Sequence, residues 1–306
     1  DVFNKGMVKL RNSEESRILN GIILGQKKSI PVSVKRKYKR AGIFHLLVIS
    51  GLHIGMIFGF CFFILRLFFL RPVFLILHAD VSVLASLFSV IPSLFYAFIA
   101  GMTYPVSRAI LMLSMFIIYR MLGRAQTGLN SLFTVALILL VMDPLSLYSI
   151  SFQLSFSAVF GIIYGFDKMM ILKVGSFKKG NNLYRRLLNY CIDVSFVTFF
   201  ATLFTGPLLI YYFKELSTLG IVSNILCVPL FSMFVLPFGF LGTLLEFINL
   251  DGINWFFKMA EFTLKIIDHI VSFISNIPFV LMHTGKIYVE DVSFMYLLIF
   301  CGFILI

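Results

Sequence analysis

The stretch Ile43-Phe-His45-Leu-Leu-Val-Ile-Ser50-Gly51-Leu-His53-Ile-Gly55-Met-Ile-Phe-Gly59-Phe-Cys61-Phe-Phe-Ile-Leu65 decides the fold class. It holds no Lys, Arg, Asp or Glu. As a helix rising about 1.5 Å per residue, it reaches across the roughly 30 Å hydrocarbon core of a bilayer. The pattern repeats further along the chain. Apolar runs lie near 81–100, 106–121, 128–142, 149–165 and 192–212, and a last one begins near Phe294. Hydrophobic residues make up 59% of the 306 and charged residues only 13%, too few charges to coat a soluble body of this size. The expected fold is an all-α polytopic integral membrane protein, with about seven to nine transmembrane or re-entrant helices plus interfacial amphipathic helices.

Three segments depart from a plain span. The run 219–248 carries Pro229 and Pro237, and as a single helix would be about 45 Å long, which favours either a broken helix or a re-entrant pair. In 254–275, Glu261, Lys265, Asp268, His269 and Ser272 share one side, while Ile266, Ile267, Ile270, Val271 and Ile274 share the other. With Trp255 at its start, this segment reads as a helix lying in the membrane interface. Residues 1–42 form a basic amphipathic segment ahead of a transmembrane domain at 43–306. There Asn12 and Glu15 have capping-box spacing, and Ile18, Leu19, Ile22 and Ile23 recur at helical spacing. The chain begins at Asp1 without an initiator Met and ends inside an apolar run, so it reads as an excerpt from a longer protein.

The net charge is +12, which implies anionic partners, either lipid headgroups or nucleic acid. If the first span starts outside, Arg66, Arg71, Arg120, Arg124 and the basic 166–191 loop all lie inside. The loops near 102–105 and 143–148, which hold no Lys or Arg, then lie outside, and this is the orientation that loop charge favours. Residues 1–42 break the rule with eleven Lys/Arg against three acids, densest at Lys35-Arg36-Lys37-Tyr38-Lys39-Arg40. Either the topology is inverted, or a basic segment lies outside against the usual bias, as an external collar for a polyanion or an anchor to anionic lipid.

Polar residues inside the spans are candidates for a wet path. Gly51, Gly55 and Gly59 recur every four residues and bare one helix face for close packing. Ser50, His53 and, just before them, His45 need partners or water. Arg108 stands near one end of its run, where it can either snorkel or meet a substrate. Gln153 and Ser157 share a face, with Ser155 beside them, and Asn224 lies in the proline-broken run. Cys61, Cys191, Cys227 and Cys301 are scattered, and no Cys/His spacing points to a metal, so no metal or cofactor is expected. No nucleophile–base pair stands out, and no Walker A pattern appears, so a channel or carrier is expected rather than an enzyme.

Four stretches in order resemble the competence domain of the ComEC family of DNA-internalisation proteins. They are Arg40-Ala-Gly-Ile-Phe-His45-Leu-Leu-Val-Ile-Ser50-Gly51-Leu-His53, Ser107-Arg108-Ala-Ile-Leu-Met, Asp143-Pro144 followed by Phe152-Gln153-Leu154-Ser155-Phe156, and Gly220 through Pro229 to Pro237. The resemblance covers roughly residues 17–305 and is most specific in the first and third stretches together. It implies a channel that passes single-stranded DNA into the bacterial cytoplasm during natural transformation, in a multi-pass protein of the cytoplasmic membrane. Family members usually add an OB-like external domain and a metallo-β-lactamase-like domain. This sequence has no HxHxDH motif and no recognisable OB strands.

On that reading Lys35, Arg36, Lys37, Lys39 and Arg40 meet the DNA first. His45, Ser50, His53, Arg108, Gln153, Ser155 and Asn224 line the path, with Phe152 and Phe156 as stacking surfaces. The implied partners are single-stranded DNA, membrane lipid, an external DNA receptor, a cytoplasmic ATP-driven motor, and further copies of the chain as a homo-oligomer. The competing reading is a secondary transporter of a small anion or lipid, although no inverted repeat supports it.

Overall fold

The computed structural model describes residues 14–23, 25, 29–72, 74, 80–123, 127–173, 183–247, 253–278, 280–285 and 287–304. Asn12, Arg124 and the middle of the 166–191 loop lie outside the described residues. The helices are α1 (Glu14–Ile23), α2 (Val32–Arg40), α3 (Gly51–Phe69), α4 (Val81–Ile99), α5 (Tyr104–Met121), α6 (Gly128–Met142), α7 (Ile150–Lys173), α8 (Leu183–Phe213), α9 (Gly220–Leu230), α10 (Leu236–Phe247), α11 (Ile253–Ser275) and α12 (Val289–Ile304). Short 3-10 turns occupy Phe44–Leu47 and Pro144–Tyr148.

Among the described residues, four stretches are long and apolar enough to cross a membrane: Gly51–Phe69, Val81–Ile99, Asn189–Phe213 and Gly220–Thr243. The expected seven to nine are not confirmed by these. Gly128–Met142 and Ile150–Gly165 are apolar but shorter, and α5 carries Arg108 and Arg120. The run with two prolines stays helical throughout. Pro229 has no N–H and crowds the carbonyl one turn back. The helix answers with a π-turn at Phe231–Val235 and then continues as α10, so it is one irregular helix rather than a re-entrant pair.

The chain divides into two compact units. The first comprises residues 1–36, 44–137 and 229–269. Its centre is the packing of α3 on α4, with α5 against both. Besides Val81 and Tyr96, the buried face of α4 is small: Ala85, Ser86, Ser89, Ser93 and Ala97. Each serine hydroxyl donates to the carbonyl four residues back, at 2.7 Å for Ser86, 2.6 Å for Ser89 and 2.8 Å for Ser93. The polar groups are thus satisfied within their own helix, leaving a smooth surface for a neighbour. Ile49, Ile54, Tyr96, Ala97, Val106 and Ile110 form the core.

In the same unit Ile18, Leu19, Ile22 and Ile23 of α1 are almost fully buried, and Ile23 and Leu19 fill the space over Gly239. The apolar stripe of α1 packs against protein. α11 buries Phe257, Ala260, Leu264 and Ile267, while Lys265 and His269 are exposed as expected. Ile266 departs from the expected apolar face: it is exposed, because the line of contact runs one position further along the helix.

The second unit comprises residues 37–43, 138–228 and 270–306. Here α7 and α8 pack along each other, and α12 joins α8 where the Tyr296 hydroxyl donates to the Phe204 carbonyl at 2.9 Å. Two short strands, absent from the sequence reading, complete it: β1 (Glu215–Ser217) and β2 (Leu281–His283). They run antiparallel, with Glu215 opposite His283 and Ser217 opposite Leu281.

Candidate functional site

The basic run folds as α2 and ends in a Schellman turn. The Ile43 N–H reaches the Tyr38 carbonyl and the Gly42 N–H the Lys39 carbonyl, each at 3.0 Å, with Gly42 at φ +78° as that turn requires. Val34, Tyr38 and Ala41 are fully buried. Arg36 and Arg40, one turn apart, are exposed on the other side, and Lys35, Lys37 and Lys39 are half-buried. The five cations are therefore not equivalent. The Lys39 ammonium stands 2.7 Å from the Glu215 carboxylate and 5.3 Å from the centre of the Phe213 ring. The Ser217 hydroxyl donates to the Arg40 carbonyl at 2.8 Å, satisfying an acceptor that the helix end leaves open.

The polar groups expected to line a path are mostly spent on the fold. Ser50 is the N-cap of α3. Its Oγ accepts from the Leu52 N–H, and His53 completes the box by accepting the Ser50 N–H on Nδ1 at 3.3 Å. An Nδ1 that accepts leaves the proton on Nε2 in the neutral ring. His53 is fully buried, with its ring edge-on to Phe231 at 6.0 Å between centroids. It is a capping residue whose buried Nε2 has no hydrogen-bond partner among the described residues.

Gly51 does pack closely: a methyl there would sit 3.3 Å from Ala109 and 3.4 Å from the Arg108 guanidinium. Gly55 and Gly59 face open space, so the expected packing stripe is one residue deep. Arg108 is only 9% exposed, on the buried side of the first turns of α5.

Gln153 is a clasp. Its Nε2 donates to the Leu147 carbonyl at 2.9 Å, and its Oε1 accepts from the Tyr212 hydroxyl at 2.8 Å. It thereby ties the Pro144–Tyr148 turn, which Asp143 caps, to α7 and α8. Ser155 is buried. Asn224 donates from Nδ2 to the Thr198 hydroxyl at 3.2 Å, linking α9 to α8, and its Oδ1 has no partner among the described residues. Phe152 is 5% exposed and stacks on Phe156 at 4.3 Å, so it offers no free face to a base. His45, in the first 3-10 turn, is the one expected lining residue that is exposed. Replacing Gln153 with Ala should lower the thermal unfolding midpoint in detergent, because two bonds worth about 0.5–1.5 kcal/mol each are lost. Transport per folded molecule should not change. A loss of transport at unchanged stability would restore the lining role.

Sequence reasoning missed two features. One is the Glu215 partner of Lys39, for which sequence offers no signal at this separation. The other is Gly161 and Gly165, whose G-x-x-x-G spacing stands plainly in the chain. A methyl on Gly161 would fall 2.7 Å from the Phe200 carbonyl oxygen, and one on Gly165 would overlap the Phe200 ring. Among the described residues no group of His, Cys, Asp and Glu is placed to hold a metal.

Apolar helices of membrane-crossing length, polar groups bonded within and between helices, and an exposed pair of arginines on a short basic helix mark a helical membrane protein. The chain belongs to the competence protein family, whose pattern residues 22–306 match. It is 23% identical over 280 residues to ComE operon protein 3 of Bacillus subtilis, covering 90% of this chain and 33% of that protein. It is 26% identical over 239 residues to Recombination protein 2 of Haemophilus influenzae, covering 74% of this chain and 29% of that protein. Competence protein ComA of Neisseria gonorrhoeae is 26% identical over 249 residues, covering 81% of this chain and 33% of that protein. The chain thus spans about a third of the length of these curated relatives. No solved structure matches it.

Proposed function

We propose that this chain is a channel component that passes single-stranded DNA across the bacterial cytoplasmic membrane during natural transformation, and that it catalyses no reaction itself. The observation that carries the reading is the exposed guanidinium pair Arg36 and Arg40 on α2, in a chain of the competence family with four described helices long and apolar enough to cross a membrane. Guanidinium groups neutralise backbone phosphates without reading sequence, as a transporter of arbitrary DNA requires. An external receptor delivers the DNA, and a cytoplasmic ATP-driven motor supplies the work.

The test is transformation frequency in a competent strain carrying Arg36→Gln and Arg40→Gln together. Losing two phosphate contacts weakens single-strand binding by about 25-fold near 0.1 M salt, since each contributes roughly 0.7 to the logarithmic salt slope. The expected result is a drop of at least about tenfold in transformants with an unchanged amount of protein in the membrane. Normal frequency would sink the proposal.

A further inference from the structure

We infer that Glu215 is an internal anion that withholds Lys39 from DNA and so limits how tightly α2 grips a strand; this rests on the proposed role of α2 in meeting DNA. Three observations lead there. The carboxylate is 2.7 Å from the Lys39 ammonium, a charge-assisted hydrogen bond of ordinary length. Glu215 is fixed on β1, whose pairing with β2 is extended by the Thr218 N–H bond to the Val280 carbonyl at 2.9 Å. The Lys39 ammonium also stands 5.3 Å from the centre of the Phe213 ring, and the carbonyl of the next residue, Arg40, is taken by Ser217. Lys39 is thus neutralised and located before any ligand arrives.

A phosphate must compete with that carboxylate for Lys39, whereas Arg36 and Arg40 stand exposed on the opposite side of the helix from Tyr38. Binding through counterion release counts only the cations that gain a phosphate. The run of five cations therefore grips with fewer charges than its sequence shows. For a transporter this has a use, because a strand held too tightly at the surface does not move on.

The experiment is the salt dependence of binding of a fluorescein-labelled 20-residue oligo-dT to the detergent-purified chain. Glu215→Gln keeps the shape of the side chain and removes its charge. It should steepen the log–log salt slope by about 0.7 and tighten binding about fivefold near 0.1 M salt, the increment for one added phosphate contact. Lys39→Gln combined with Glu215→Gln removes the pair as a unit and should return the slope to that of the native chain. Glu215→Ala repeats the first arm if the amide variant unfolds. An unchanged slope in Glu215→Gln, or a steepened slope that survives in the double variant, overturns the inference. Failure of Arg36→Gln with Arg40→Gln to flatten the slope would instead overturn the assignment of α2 to DNA, and so tells the two apart.

Discussion

Gly161→Leu should remove most of the folded protein from the membrane, while Gly59→Leu should leave it nearly unchanged. Both glycines sit in helices and share the same i, i+4 spacing with another glycine. At 161 the added carbon meets the Phe200 carbonyl oxygen at 2.7 Å, and a backbone atom of a packed helix cannot swing aside. Phe204 presses on the same spot, at 2.8 Å from the ring and 3.0 Å from its Cβ. Overpacking costs about 1–3 kcal/mol where side chains can shift, and a leucine against backbone belongs at or beyond the top of that range. The gain of about 0.8–1 kcal/mol from replacing a helical glycine does not offset it.

At Gly59 nothing lies within 4 Å, so only the favourable propensity term remains. The measurement is the amount of each variant recovered from membranes at equal expression, with its melting temperature in detergent. A fall of about fivefold or more is expected for Gly161→Leu, since a few kcal/mol shift abundance several-fold. Equal recovery of both variants would mean that α7 and α8 are not in close contact at Phe200.

These two glycines also show what was legible in the sequence. Apolar length is a one-dimensional property, so the runs at 81–100 and 192–212 match helices from hydropathy alone, whereas the run at 43–65 becomes a helix only from Gly51, after a 3-10 turn at Phe44–Leu47 and the Ser50 cap. Which face of a helix meets a neighbour is not one-dimensional. The stripe Gly51, Gly55, Gly59 and the pair Gly161, Gly165 carry the same local signal, yet only Gly51 of the first set and both of the second are covered. The same limit applies to the polar residues. Ser50 and His53 read as needing partners or water, and Gln153 and Asn224 as path-lining groups. In each case the partner was another protein group: a helix N-terminus, a turn carbonyl, a tyrosine, a threonine. A polar residue in an apolar run signals an obligatory hydrogen bond, and it does not by itself distinguish a wet path from an interhelical clasp.

The basic run shows the opposite case, where sequence was right about charge and silent about its division. Helical spacing alone places Arg36 and Arg40 on one face. It does not reveal that a carboxylate more than 170 residues away claims Lys39.

Gly42→Ala should release α2 from β1 and α9, with a large loss of stability. Two costs add at that position. The backbone stands at φ +78°, where an L side chain is strained by about 1–2 kcal/mol. The new carbon would also lie 2.8 Å from the Gly220 Cα and 2.9 Å from the Ser217 hydroxyl, so it must push away the strand that caps the helix. With overpacking at about 1–3 kcal/mol, the sum is about 2–5 kcal/mol, a large part of the stability of a typical domain. Displacing Ser217 opens the Arg40 carbonyl, and moving β1 draws Glu215 away from Lys39.

The mirror substitution makes the prediction specific. A methyl on Gly220 points past Gly42, at 3.8 Å from its Cα, an ordinary contact, so Gly220→Ala should be tolerated. Cysteine-accessibility labelling at position 40, combined with detergent melting, separates the two variants: Gly42→Ala should melt early, and position 40 should label faster relative to the native background. Equal behaviour of the two alanine variants would show that the close approach of Gly42 and Gly220 does not hold the basic helix in place.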